Sequence, residues 1–110
     1  MFELKTYVNL AGKSIFTEWL NKLRDTQARA RIDVRLNRLA NGLTGDTKIV
    51  GEGVSELRID WGPGYRVYFD RDGATVVLLL CGGDKRTQQK DIDHAIEYWK
   101  DYQKRRTQSR

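Results

Sequence analysis

The chain is poor in the residues that staple or metallate small folds: among 110 residues there is one cysteine, one proline, one histidine and one methionine. A lone thiol forms no internal disulfide, and one thiol with one imidazole falls short of the usual zinc ligand set. Cys81 closes an apolar run, which favours a buried, inert thiol over a nucleophile, with only Lys85 and Arg86 nearby to lower its pKa. Long hydrophobic runs are missing too. No stretch nears the ~18 apolar residues of a membrane span, and the opening MFELKTYVNL lacks the basic-then-apolar order of a signal peptide. The expectation is a soluble, cytoplasmic protein with no membrane partner. Neither GxxxxGKS/T, GxSxG, HExxH nor paired CxxC occurs, which leaves P-loop nucleotide hydrolysis, serine hydrolysis and zinc catalysis unsupported. GEGVSE at 51–56 precedes a strand, so it is not a dinucleotide loop. Nothing in the residues asks for a metal or a cofactor.

What is present is core-forming and basic. Hydrophobic residues make up 39% and charged residues 32%, with three Trp, five Tyr and three Phe, enough for one core and one domain of about this length. Residues 1–106 read as that domain and 107–110 as a basic tail. The net charge of +5 favours a polyanionic or acidic partner. It is unevenly placed: segments 20–40 and 85–110 each carry +4, segment 41–84 carries −3, and segment 1–19 is neutral.

Periodicity gives the elements. FELKTYV (2–8) alternates as a half-buried strand. Ser14 caps a short helix carrying Ile15, Phe16, Trp19, Leu20 and Leu23, and Asp25 caps a second with Ala28, Ile32, Leu36, Leu39 and Leu43 as its stripe. The glycine-rich 43–53 stretch reads as a loop. VSELRID, YRVYFD and ATVVLLLC, joined by turns at 61–64 and 71–73, read as an antiparallel meander ended by Gly82-Gly83-Asp84. From about Thr87 to Arg106, Ile92, Ala95, Ile96, Trp99 and Tyr102 recur at helical spacing; Gln103–Arg110 is polar enough to fray or trail. The predicted order is β-α-α-β-β-β-α, an α+β fold with a small, mainly antiparallel sheet, a helical hairpin and a C-terminal helix on one side of it.

Strand alternation puts Glu56, Arg58, Arg66 and Tyr68 on the face opposite Leu57, Ile59, Val67 and Phe69. The turn after the last strand adds Lys85 and Arg86. Guanidinium groups bind phosphate oxygens bidentately and stabilise the charge of a pentacovalent transition state, so a phosphodiester suits this group. Tyr68 is placed to stack a base. Without a metal cluster, strand cleavage needs the RNA 2′-hydroxyl as nucleophile, with Glu56 or a lysine assisting proton transfer. The plainer alternative is a set of cross-strand ion pairs on a solvated face. Arg31, Arg35 and Arg38 form a basic stripe on the second helix, either a solvated face or a docking surface for RNA or an acidic segment. The tail cations Lys104, Arg105, Arg106 and Arg110 carry the same two readings. His94 lies nearly opposite the apolar stripe of the last helix and reads as an exposed histidine.

ELRIDWGPGYRVYF (56–69), VVLLLCGGDKRTQQKDI (76–92) and FTEWLNKLRDTQARARI (16–32), in that order, resemble the RelE/ParE toxin superfamily, closest to its putative addiction module killer proteins, relatives of HigB-type toxins. The resemblance implies a type II toxin neutralised by a separately encoded antitoxin, expected to be a small helix-turn-helix protein. It implies a ribosome-dependent mRNA interferase that cuts messenger RNA without a metal; the ParE branch, which inhibits DNA gyrase, is the alternative, and a module that only docks its antitoxin a third. The family's GYR arginine falls on Arg66 and its basic residues after the last strand on Lys85 and Arg86. Val54, Glu56 and Ile92 stand where RelE has two lysines and a tyrosine. On this reading Arg66 and Arg86 hold the scissile phosphate, Lys85 and Arg58 support it, Glu56 or a distal ribosomal group handles the proton, and Tyr68, Arg31 and Arg35 contact RNA. The antitoxin is expected at the sheet edge or on the basic hairpin.

Overall fold

The alternation of the first residues becomes an edge strand, β1 (Glu3–Thr6), in the computed structural model, which describes residues 1–108. Helix α1 (Ile15–Lys22) starts at Ser14, whose hydroxyl accepts the Thr17 N–H at 3.3 Å. Helix α2 (Thr26–Ala40) starts at Asp25, whose Oδ1 accepts from the N–H groups of Gln27 and Ala28 at 3.0 and 3.1 Å. Both caps satisfy first-turn donors that would otherwise go unpaired. Ala28, Ile32, Leu36 and Leu39 are buried as expected, whereas Leu43 lies beyond the helix and is exposed.

Four more strands complete the sheet: β2 (Thr47–Gly51), β3 (Val54–Ile59), β4 (Tyr65–Asp72) and β5 (Val76–Asp84). The sheet order is β1-β5-β4-β3-β2, with β1 parallel to β5 and the other pairs antiparallel. The expected α+β class and mainly antiparallel sheet hold. Three expectations change. The 43–53 stretch is not all loop: Thr47–Gly51 pairs with β3 as an outer strand. The glycines at 82 and 83 do not end the last strand, which runs on to Asp84. And the helices do not share one side. The α1/α2 hairpin packs with Leu57, Ile59, Val67, Phe69, Val77 and Leu79, while α3 (Gln88–Gln108) covers Val54, Tyr68, Leu78, Leu80 and Cys81 on the other face with Ala95 and Trp99. Each fully buried Leu, Ile or Val in these two layers contributes roughly 1.5 to 3 kcal/mol.

A register shift between β4 and β5 changes which way the end of β5 faces. Tyr68 pairs with Cys81 and Phe69 with Leu79, so Leu80 is the extra residue and both Leu80 and Cys81 face α3. Beyond the bulge Gly82 faces the hairpin and Gly83 faces α3. A Cβ on Gly82 would overlap the Trp19 ring, and one on Gly83 would overlap the Asp91 carboxylate. These glycines mark close approach on two faces. A 3₁₀ turn, Lys85–Thr87, then leads into α3, with Asp84 Oδ1 accepting the Arg86 N–H at 2.8 Å.

The end of α3 corrects a further expectation. Residues 103–108 continue the helix rather than trailing; Ser109 and Arg110 lie outside the described residues. The Tyr7 hydroxyl donates to Asp101 at 2.6 Å, and Arg105 pairs with Asp101 at 2.7 Å and donates to the Val8 carbonyl at 2.6 Å. Tyr102 and Arg106 both reach Asp72. No described helix is long and apolar enough to cross a membrane.

Candidate functional site

On the α3 face, the register of β3, β4 and β5 makes two cross-strand rows. Arg58 pairs with Arg66 and Arg66 with Gly83; one step along, Glu56 pairs with Tyr68 and Tyr68 with Cys81. The start of α3 covers the second row, and the first lies beside the 3₁₀ turn. Glu56 and Tyr68 are therefore fully buried, which corrects the expectation of an open face: with the Tyr68 ring under α3, no base can stack on it in this conformation. Burial, then the neighbouring Glu56 carboxylate, push the Tyr68 phenol well above its usual range.

The Glu56 carboxylate is the hub. Its Oε1 accepts from Arg58 Nε at 3.1 Å and lies 3.6 Å from Arg66 Nε; its Oε2 accepts from the Tyr68 hydroxyl at 3.0 Å and from Gln88 Nε2 at 2.8 Å. Arg66 also donates through Nη1 to the carbonyls of Gly64 and Tyr65, at 3.2 and 3.5 Å. Its side chain is 12% exposed and that of Arg58 35%. Two guanidinium groups directly opposite on a sheet repel, and the buried carboxylate between them offsets that repulsion.

Beside this pair opens a cavity of about 360 Å³ lined by Arg58, Arg66, Lys85, Gly64, Asp46 and Asp60, among others. Both terminal nitrogens of Arg58, Nη2 of Arg66 and the Lys85 ammonium make no hydrogen bond or ion pair among the described residues. Three cations with free donors thus line one hollow, together with the carboxylates of Asp46 and Asp60. Gly64, at φ 81°, is needed here twice over: the left-handed turn suits glycine, and a Cβ would come within 3.3 Å of Arg66 Nη1.

The other expected site residues are placed differently. Arg86 is 78% exposed and folded onto Asp84, at 2.8 and 3.2 Å, outside the cavity lining. Its guanidinium holds the Asp84 carboxyl below the usual range. Arg31 stacks over Trp61 at 3.9 Å, and Trp61 Nε1 donates to Asp25 at 3.0 Å. Arg35 donates to the carbonyls of Arg58, Thr44 and Asp46. With Arg38 these two line a second cavity of about 470 Å³, which shares Asp60 with the first. His94 is half-buried rather than exposed, its ring 6.0 Å from that of Tyr98. Cys81 is buried and its thiol pushed up to about 12 by that burial, in line with an inert thiol.

Sequence reasoning missed Gln88 and Gly83. Gln88 stands four residues before Ile92 and so on the stripe that faces the sheet, a spacing that marks it as inward. Gly83 stands beside Arg66 because the bulge turns it there, and no local pattern announces that.

The fold and site together define a small α+β domain, its mixed sheet helix-covered on both faces, with a cationic hollow at one end of the β3–β4 pair. Residues 18–100 match the family described as phage derived protein Gp49-like (DUF891), and the chain belongs to this family, which is related to the RelE/ParE-like toxins. It is also 52% identical over 80 residues to a Haemophilus influenzae protein described as uncharacterized, a match covering 73% of this chain and 81% of that one.

Proposed function

We propose that this chain is the toxin of a type II toxin-antitoxin module: a ribosome-dependent, metal-independent endoribonuclease that cuts messenger RNA in the cytoplasm and is silenced by a cognate helix-turn-helix antitoxin. The observation that carries this reading is the hollow where Arg58, Arg66 and Lys85 present donors that no described protein group uses. Family membership and the GPGYRVYF and CGGDKR segments support it. A phosphodiester seated there meets three cations. When the 2′-oxygen attacks phosphorus and the 5′-oxygen leaves, a group of the ribosome takes the 2′-hydroxyl proton and a proton returns to the 5′-oxygen, while the added charge on the phosphoryl oxygens falls on those donors. The products are a 2′,3′-cyclic phosphate and a 5′-hydroxyl. Arg86 joins the site by exchanging Asp84 for the phosphate.

The test is brief expression without antitoxin, with new RNA 5′ ends mapped beside an Arg66→Ala control. Cuts within translated codons, bearing 5′-hydroxyls, are expected. Arg66→Ala should lose at least ~10-fold in cleavage, since one charge-assisted contact is worth roughly 1.5 to 3 kcal/mol. Full cleavage by a folded Arg66→Ala variant removes Arg66 from the site. Growth arrest with intact messages moves the target to a protein such as gyrase, and no growth effect leaves a module that only docks its antitoxin.

A further inference from the structure

We infer that Glu56 is a positioning residue that holds the two phosphate-binding arginines in register and accepts no proton from the substrate. The inference rests on the phosphate site proposed above and assigns Glu56 a role opposite to the one its residue type suggests. An ionised carboxylate offers about four acceptor positions, two per oxygen. Here three are filled by hydrogen bonds, from Arg58 Nε on Oε1 and from the Tyr68 hydroxyl and the Gln88 amide on Oε2, and the fourth faces Arg66 Nε at 3.6 Å. Glu56 is also wholly buried and does not line the cationic hollow. Glu56 borders instead a separate cavity with Lys48 and Gln88, so a 2′-hydroxyl in the cationic hollow meets the arginines and not the carboxylate.

The same contacts describe what the carboxylate does. It grips both guanidinium groups from behind, by Nε, and leaves the Nη edges of Arg58 and Nη2 of Arg66 free to face an anion. Arg66 Nε is buried without a hydrogen-bond partner among the described residues, so at 3.6 Å its hold on Glu56 is chiefly coulombic. Tyr68 and Gln88 fix Oε2. Because Gln88 is the first residue of α3, the docking of that helix is tied to the aim of the arginines. Support of this kind, in which the binding group's own orientation is locked by a buried partner, is how a preformed anion site is kept from collapsing.

The experiment compares wild type, Glu56→Gln, Tyr68→Phe, Arg66→Ala and the Glu56→Gln/Arg66→Ala double variant. Two readouts are taken: affinity for a short single-stranded 2′-O-methyl RNA, which cannot be cleaved, and the pH profile of message cleavage on programmed ribosomes. Positioning predicts that Glu56→Gln weakens RNA binding about 10-fold and Tyr68→Phe about 3-fold, and that Glu56→Gln costs less once Arg66 is alanine, because only its hold on Arg58 is then left to lose. The residual cleavage of Glu56→Gln keeps the wild-type pH profile. Wild-type RNA affinity in Glu56→Gln, with cleavage abolished and a limb of the pH profile lost, overturns the inference and makes Glu56 the proton acceptor. If Glu56→Gln fails to fold, Tyr68→Phe, which removes a single hydroxyl, decides: unchanged affinity there overturns the inference. Unchanged affinity in Arg66→Ala instead overturns the phosphate site itself, whatever the Glu56 variants do.

Discussion

Gly82 is a residue whose missing side chain is filled by another. The Trp19 ring occupies the place of its Cβ, with Cε3, Cζ3 and Cδ2 all within 2.6 Å of it. A methyl there cannot be absorbed by a flexible chain end, because the ring is itself packed against Phe16 and Tyr65. Gly82→Ala should therefore destabilise the fold by about 1 to 3 kcal/mol, read as a lower urea midpoint at unchanged slope, and Trp19→Leu in the same chain should recover part of the loss. The glycine pair shows where sequence reading stops at this scale. Local chemistry counts two glycines as a strand break, but what they accommodate, Trp19 from one face and Asp91 from the other, comes from 63 residues earlier and 8 residues later in the chain. Arg58 and Arg66, by contrast, are legible as neighbours, because a period of two and a short turn place them opposite each other without any tertiary knowledge.

At the scale of elements, the final helix is legible at its start and not at its end. The apolar stripe through Ile92, Ala95, Ile96 and Trp99 announces a helix; beyond Tyr102 the residues are polar, and polarity alone reads as solvent. Their partners outside the helix are the Asp72 carboxylate on β4 and the Val8 carbonyl after β1, which no local period reveals. Strand β2 is hidden in the same way, since its glycines suggest a loop and its pairing depends on β3. The Tyr7–Asp101–Arg105 contact gives the docking of α3 a pH dependence. The Tyr7 hydroxyl first, and then the Arg105 guanidinium, hold the Asp101 carboxyl below its usual range. A carboxylate whose folded value lies below its unfolded one stabilises the fold above the unfolded value, about 3.9. That contribution is lost as the pH falls through the folded value. Wild type should thus melt above Asp101→Asn at neutral pH, and the gap between the two melting temperatures should close as the solution is taken well below about pH 4. A gap that stays constant across that range would mean the carboxylate charge contributes nothing to docking α3.

Across the whole molecule, net charge is a poor guide to which cations meet a polyanion. The segment 20–40 carries +4 and invites the reading of a basic docking face, but the structure already engages the two arginines of it that are expected to contact RNA. Arg31 lies on the Trp61 ring, and Arg35 is bound to three backbone carbonyls that tie α2 to β3 and to the loop before β2. Free donors converge on one hollow at Arg58, Arg66 and Lys85, two of them in the segment where sequence charge is lowest and the third just past its end, because the sheet folds those cations together. Salt dependence separates the two possibilities. Each phosphate neutralised on a single strand contributes roughly −0.7 to the slope of log affinity against log salt, so one phosphodiester in the hollow gives a slope of about −0.7. Further phosphates held by Arg31 and Arg35 would steepen it to about −2. We expect the shallower slope, measured with 2′-O-methyl RNA, and we expect Arg35→Ala to leave that slope unchanged. Its cost should fall on stability, by about 1 to 3 kcal/mol, since it removes a charged donor from three carbonyls. A steep slope that Arg35→Ala makes shallower would instead put α2 on the path of the RNA.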